Sequence, residues 1–157
     1  MPILNIQLAA QDPSGTQIPA LVALQQRGPV VQVSVSVEHN IAQQLLAQGV
    51  ALTAPESGLA LIDTGATSTC IDDAAAARLS LPAIDVVTVA SASHPATQQN
   101  VHPIQIEVIG LPITISAPRA IAAPLAAQGL VVLIGRDVLQ HCTLFYNGPT
   151  GSFSLSV

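Results

Sequence analysis

The sequence predicts a single, mainly β domain closed as a barrel or sandwich, with two or three short helices. Three observations predict it. Short apolar runs recur along the chain and are separated by clusters of Pro, Gly, Ser and Asn, the residues that end strands. One run alternates strictly: Val31, Val33, Val35 and Val37 face one way and Gln32, Ser34 and Ser36 the other, the pattern of a half-buried strand. Finally, 50% of the 157 residues are hydrophobic but only 2% are aromatic, so the core is built from Ala, Val, Ile and Leu. The chain shows neither an internal repeat nor a linker, and its length suits one domain.

The elements follow in order. Ile3 to Leu8 alternates as a strand, and Gln11-Asp12-Pro13-Ser14-Gly15 turns the chain. Ile18 to Leu24 is a second apolar run, read as a strand that ends before Gly28-Pro29. Beyond the valine strand, Ile41 to Leu46 has helical spacing with Asn40 as its N-cap. A loop containing Pro55, Ser57 and Gly58 leads to a short strand, Leu59 to Ile62. Asp72 to Leu79 reads as a helix, because its opening acids and Arg78 in the last turn complement the helix dipole and Pro82 closes it. Val86 to Ala90 and Ile104 to Ile109 read as the arms of a long hairpin, with Ser91 to Asn100 as a mobile polar tip. Leu111 to Ser116 and Val131 to Ile134 are further strands, and Arg136 to Gln140 is a short helix. Thr143 to Tyr146 then pairs with Ser152 to Val157 across Asn147-Gly148-Pro149-Thr150-Gly151.

Composition excludes several functions. Only 8% of residues are charged, but the high apolar content excludes a disordered chain. Four arginines, no lysine and a net charge of -5 leave no basic stripe for nucleic acid, and so few aromatics give no stacking platform. No apolar run reaches the roughly 20 residues of a membrane span. The N-terminus lacks the basic and apolar regions of a signal peptide, so a cytoplasmic location is expected. Cys70 and Cys142 are too few for a disulfide scaffold. His94 reads as an exposed loop histidine, and His39, His102 and His141 share no ligand spacing, so no metal is expected. So apolar a chain with so few charges is expected to self-associate.

One segment carries chemistry. Ala60-Leu61-Ile62-Asp63-Thr64-Gly65-Ala66-Thr67 places a carboxylate at the end of an apolar strand, followed by a glycine that permits a sharp turn and close approach. Alone, this is also what an ordinary turn after a strand looks like. A second apolar strand, Val131-Val132-Leu133-Ile134, ends in Gly135-Arg136-Asp137-Val138-Leu139 some way downstream. Together, Leu61-Ile62-Asp63-Thr64-Gly65-Ala66 and Leu133-Ile134-Gly135-Arg136-Asp137-Val138-Leu139 resemble the two signatures of the retropepsin-like aspartic proteases, in their cellular and bacterial branch. Cys142-Thr143-Leu144-Phe145 is similar to that family's C-terminal strand, and Gln26-Arg27-Gly28-Pro29 to its N-terminal part.

The resemblance implies an aspartic endopeptidase without a cofactor. With one Asp-Thr-Gly per chain, two Asp63 carboxylates meet only across the axis of a symmetric homodimer, where they share a proton around a water. Thr64 is then expected to bond across that axis, and the Gly65 carbonyl to accept a substrate amide. Ala66 cannot donate to the carboxylate as Ser or Thr would, so activity is expected at mildly acidic pH. The segment from Val86 to Ile106 becomes a flap closing over a peptide or protein substrate. Thr67, Cys70, Ala90, Ser91, Ala92, Ser93 and Ile134 are its expected substrate contacts, and Gly135, Arg136 and Asp137 the structural support. The viral enzymes carry an Asp at the position of Thr67, so Arg136 is expected to bond backbone carbonyls or Asp137 instead. Relative to those enzymes, residues 1–17 are an N-terminal extension and residues 40–58 a helical insertion within the one domain, 1–157. Two other readings stay open: the same fold used as a weakly catalytic dimerisation or peptide-binding module, and an unrelated β-rich interaction domain.

Overall fold

In the computed structural model, which describes residues 2–91 and 94–156, the valine strand closes the wall of a barrel. The strands are β1 (Ile3–Gln7), β2 (Ala10–Gln11), β3 (Gln17–Ile18), β4 (Val30–Val37), β5 (Glu56–Ile62), β6 (Cys70–Asp72), β7 (Asp85–Ser91), β8 (His94–Val108), β9 (Thr114–Ala123), β10 (Leu130–Ile134), β11 (Thr143–Asn147) and β12 (Ser152–Ser156). The helices are α1 (Ala20–Arg27), α2 (His39–Ala47), α3 (Asp73–Arg78) and α4 (Arg136–Leu139), with one 3-10 turn at Ala126–Gln128. The main sheet runs β4-β5-β10-β6-β9-β8-β7, and β4 also pairs with β8, so six of its strands close into a barrel while β7 stands outside. A second sheet runs β1-β12-β11.

Alternation explains the core. Val31, Val33 and Val35 point inward at 0–2% exposure and meet Ala60, Ile62, Ile71, Ile104, Ile106, Val132 and Ile134. Phe153 and Leu155 of β12 join the same core, as do Leu4 of β1 and Leu24 of α1. The N-terminal segment is therefore built into the fold: β1 lies antiparallel to β12, from Ile3 opposite Ser156 to Gln7 opposite Ser152.

Four expectations are corrected. Ile18 to Leu24 is not a strand; from Ala20 onward it is α1. An unbroken apolar run does not distinguish a strand from a buried helix, and Pro19 at the N-cap starts the helix. Ala23 and Leu24 are buried, and Gly28 ends the helix at φ +71, packed so closely that a Cβ there meets Leu61 Cδ1 at 2.8 Å. The cap of α2 is Glu38, not Asn40, because the longer carboxylate accepts from both Asn40 N and Ile41 N (2.9 and 3.2 Å). Helices number four plus the 3-10 turn among the described residues, rather than two or three. Residues 95–100, read as part of a mobile tip, are paired strand, with Val86 opposite Asn100 and Val89 opposite Thr97. Their polar side chains suit an arm exposed on both faces, so polarity there marks exposure rather than irregular backbone. Ala92 and Ser93 lie outside the described residues.

Smaller shifts have local causes. Residues 56–58, grouped with the insertion, belong to β5 and pair with Val33, Ser34 and Val35. Beyond Ser116, β9 continues through Pro118 because a bulge sets Pro118 and Arg119 against the single residue Pro103, where ladder N–H groups are not needed. The helix α3 begins as expected at Asp72, whose Oδ2 caps Ala75 N while Oδ1 accepts from Leu125 N (3.0 Å) and Ala126 N (2.8 Å). That buried carboxylate thus ties α3 to the turn ahead of β10.

Candidate active site

Asp63 leaves the end of β5, where parallel pairing of β5 with β10 sets Ile62 beside Ile134. Its backbone N–H donates to the Ile134 carbonyl (2.9 Å). The side chain is half-buried, and its Oδ1 accepts from Gly65 N at 2.7 Å. The second carboxylate oxygen has no hydrogen-bond partner among the described residues. The loop thus holds one oxygen and presents the other.

The segment following β10 clamps the loop from below. Arg136 N donates to the Ala66 carbonyl (3.0 Å) and Asp137 N to the Thr67 carbonyl (3.2 Å). The Arg136 guanidinium donates to the Thr64 carbonyl (3.1 Å) and to Thr67 Oγ1 (3.0 Å), with a longer contact to the Gly65 carbonyl (3.5 Å). Arg136 thus bonds backbone carbonyls and the Thr67 hydroxyl, not Asp137. Asp137, itself exposed, instead accepts from Thr69 N, Thr69 Oγ1 (2.8 Å) and Val138 N (3.0 Å). Thr69 is fully buried, and its Oγ1 also accepts from Gly135 N (3.1 Å). The Thr69 hydroxyl thus both donates and accepts, and ties the loop to the turn after β10. Gly135 is needed for space, since a Cβ there would lie 2.5 Å from the Ser68 carbonyl carbon.

Beside the loop runs an apolar row. Leu61 pairs with Leu133, Leu133 with Cys70, and Cys70 with Ile121, so the four side chains share one face of the sheet. All four are half-buried, whereas Ile62, Ile71 and Ile134 on the opposite face are fully buried in the core. Ile134, expected to touch substrate, is therefore corrected: at 0% exposure it offers no surface, whereas the adjacent Leu133 is half-buried on the outer face. The period-2 alternation of a strand carried this signal, since the residue before Gly135 and the one before it cannot face the same way. The sequence reading also missed Leu61, Ile121 and Thr69.

The other expected residues are spread out. Thr64, Gly65 and Thr67 are exposed at the loop tip, and Ala66 is half-buried beneath it. Ala90 is exposed near the end of β7, whose backbone continues through Ser91 opposite His94. The base of β7 is anchored by an ion pair between Asp85 and Arg119 (2.6 Å), which holds the Asp85 carboxyl below its ordinary range. Among the described residues, no group of three or more His, Cys, Asp or Glu side chains is placed to hold a metal ion. None of the helices described is long and apolar enough to cross a membrane.

Cys70 sits close enough to feel both carboxylates. Burial, then the charges of Asp137 and Asp63, push its thiol up to about 11. The thiolate is the reactive form, so Cys70 is expected to resist iodoacetamide at pH 8 in the native protein and to react once urea unfolds it, which mass spectrometry of timed samples will show. The sign for stability follows. The unfolded thiol ionises near 9 and the folded one near 11, so this group's contribution is intact below pH 9 and is lost as the pH climbs to about 11.

A model of the family described as "gag-polyprotein putative aspartyl protease" matches residues 56–141, which span β5 through α4 and so contain both the Asp63 loop and its clamp. Among solved structures, the protease of simian foamy virus (mac) is similar at 18% identity, covering 71% of this chain and 92% of its own, with a TM-score of 0.44. A retropepsin-like aspartic protease from Rickettsia conorii is similar at 14% identity, covering 98% and 91%, with a TM-score of 0.45. No curated protein matches the chain. The family match spans more than half the sequence, and the chain belongs to this retropepsin-like aspartyl protease family.

Proposed function

We propose that the protein is an aspartic endopeptidase whose catalytic pair is formed by Asp63 from each of two identical subunits. The observation that carries this reading is the presentation of Asp63: one carboxylate oxygen is pinned by Gly65 N and the other left open, on a loop held rigid by the Arg136 and Thr69 bonds. In the pair, the ionised carboxylate takes a proton from a water as its oxygen adds to the substrate carbonyl carbon. The protonated carboxyl gives its proton to the carbonyl oxygen. Collapse of the tetrahedral species breaks the C–N bond as a proton passes to the departing nitrogen. Thr64, exposed at the loop tip, is proposed to bond across the axis, and the row Leu61, Leu133, Cys70 and Ile121 to receive apolar side chains flanking the cut.

The second subunit is proposed to dock on β11. This strand forms an open edge of its sheet and carries no charge or proline to protect it. Phe145 and Tyr146 on it are 62% and 49% exposed. It starts just after α4, the helix whose first residue holds the catalytic loop. The test is cleavage of a diverse peptide library between about pH 3 and pH 7, repeated over a dilution series and compared with sedimentation. The reading expects specific activity to fall as the dimer dissociates. Unchanged specific activity in a monomeric sample overturns the shared pair, and absence of cleavage by a proven dimer leaves a peptide-binding module.

A further inference from the structure

Three of the four arginines are committed. Arg78 pairs with Glu56, Arg119 with Asp85, and Arg136 lies over the carbonyls of the catalytic loop. Arg27, in the last turn of α1, is exposed and makes no hydrogen bond or ion pair among the described residues. It stands at the rim of a cavity of about 500 Å³. The other lining residues are Gln26, Val30, Leu59, Leu61, Gln128, Gly129 and Leu130, so the cavity is uncharged apart from the guanidinium.

This cavity joins the catalytic strand. Leu61 belongs both to it and to the apolar row beside Asp63, and Val30 pairs directly with Leu61. Leu61 precedes Asp63 by two residues, roughly 7 Å along an extended chain. A substrate bound as an extended strand therefore brings a side chain two or three residues from the cut into reach of Arg27. The catalytic loop, residues 63–69, contains no acid besides Asp63 to compete for that guanidinium. Against apolar walls, a guanidinium attracts a carboxylate more strongly than in open water and holds it through two parallel hydrogen bonds. The net charge of -5 works against an acidic peptide elsewhere on the surface.

We propose that Arg27 is a specificity-determining residue: the enzyme prefers peptides with Asp or Glu two or three residues from the cleaved bond, the carboxylate seated against the Arg27 guanidinium. The proposal rests on the protease reading above. Its test uses matched peptides carrying Asp, Asn or Lys at each of those positions, cleaved by the wild type and by Arg27→Lys, Arg27→Gln and Arg27→Glu. The wild type is expected to favour Asp over Asn by roughly tenfold in kcat/KM, and the preference to shrink at high salt. Arg27→Lys should retain part of it, Arg27→Gln should lose it, and Arg27→Glu should turn it toward Lys, a gain that misfolding cannot mimic. A wild type that cleaves all three peptides equally, or an Arg27→Gln variant that keeps the preference, overturns this proposal and leaves the protease reading standing. Failure of the wild type to cleave any peptide removes both.

Discussion

An Asp63→Asn variant is expected to lose at least a thousandfold in kcat/KM, by the scale on which removing a group essential to the chemical step acts, while remaining folded and dimeric. The amide has the shape of the carboxylate, and its oxygen still accepts from Gly65 N, the bond that orients the side chain at 2.7 Å. What it cannot do is take a proton from water. Two carboxylates brought close together also repel unless they share a proton, so the variant should associate at least as tightly as the wild type at neutral pH. The shared pair has a consequence that a single-chain site lacks: a mixed dimer holds one Asp and one Asn and is inactive. Excess variant added to wild type, followed by time for subunit exchange, is expected to silence the mixture. If activity instead falls only in proportion to the wild-type content, the two carboxylates do not act as one unit.

Gly135→Ala is expected to cost about 3 kcal/mol or more, beyond ordinary overpacking because the clash is with backbone. The new methyl would meet the Ser68 carbonyl carbon at 2.5 Å, its oxygen at 2.6 Å and Thr69 N at 2.8 Å, none of which is the tip of a flexible side chain. Relief requires the catalytic loop and the turn after β10 to separate. That breaks the bonds from Gly135 N to Thr69 and from Thr69 to Asp137, leaving buried polar groups without partners. A fall in melting temperature of roughly 6–12 °C is expected for a chain of this size, together with loss of activity. Gly148→Ala serves as the comparison. Its new Cβ would meet only Tyr146 Cε1, at 3.7 Å, and it should melt within about 2 °C of the wild type. Equal melting of the two variants would show that the turn does not press on the loop as described.

The sequence reveals the fold most clearly where hydrophobic period and turn chemistry agree. The valine strand, the hairpin of β11 and β12 and the capped start of α3 are of this kind, and each lies where its residues place it. The run from Ile18 to Leu24 misleads because it is apolar without a period; only the packing of Leu24 into the core decides that it coils. The polar stretch 95–100 misleads for the opposite reason, since an arm standing clear of the barrel has no face to keep apolar. At the site, Asp63, Gly65, Gly135 and Arg136 are legible because their chemistry is tied to fixed neighbours along the chain. Thr69 is not, since a hydroxyl becomes a buried keystone only when Asp137 and Gly135 arrive from 68 and 66 residues away. Leu133 was missed by one residue, the step that separates the two faces of a strand.

The pairing of β1 with β12 reaches beyond the static structure. It joins Ile3–Gln7 to Ser152–Ser156, the two most distant strands in the chain, and β12 supplies Phe153 and Leu155 to the central core. Contacts so remote in sequence carry a large loop-closure entropy and slow the search for the native arrangement. During synthesis, β1 has an unsatisfied edge until β12, its partner in the sheet, has followed it off the ribosome. The core lacks Phe153 for the same interval. Completion of the core thus waits on β12, which is made after every other strand described.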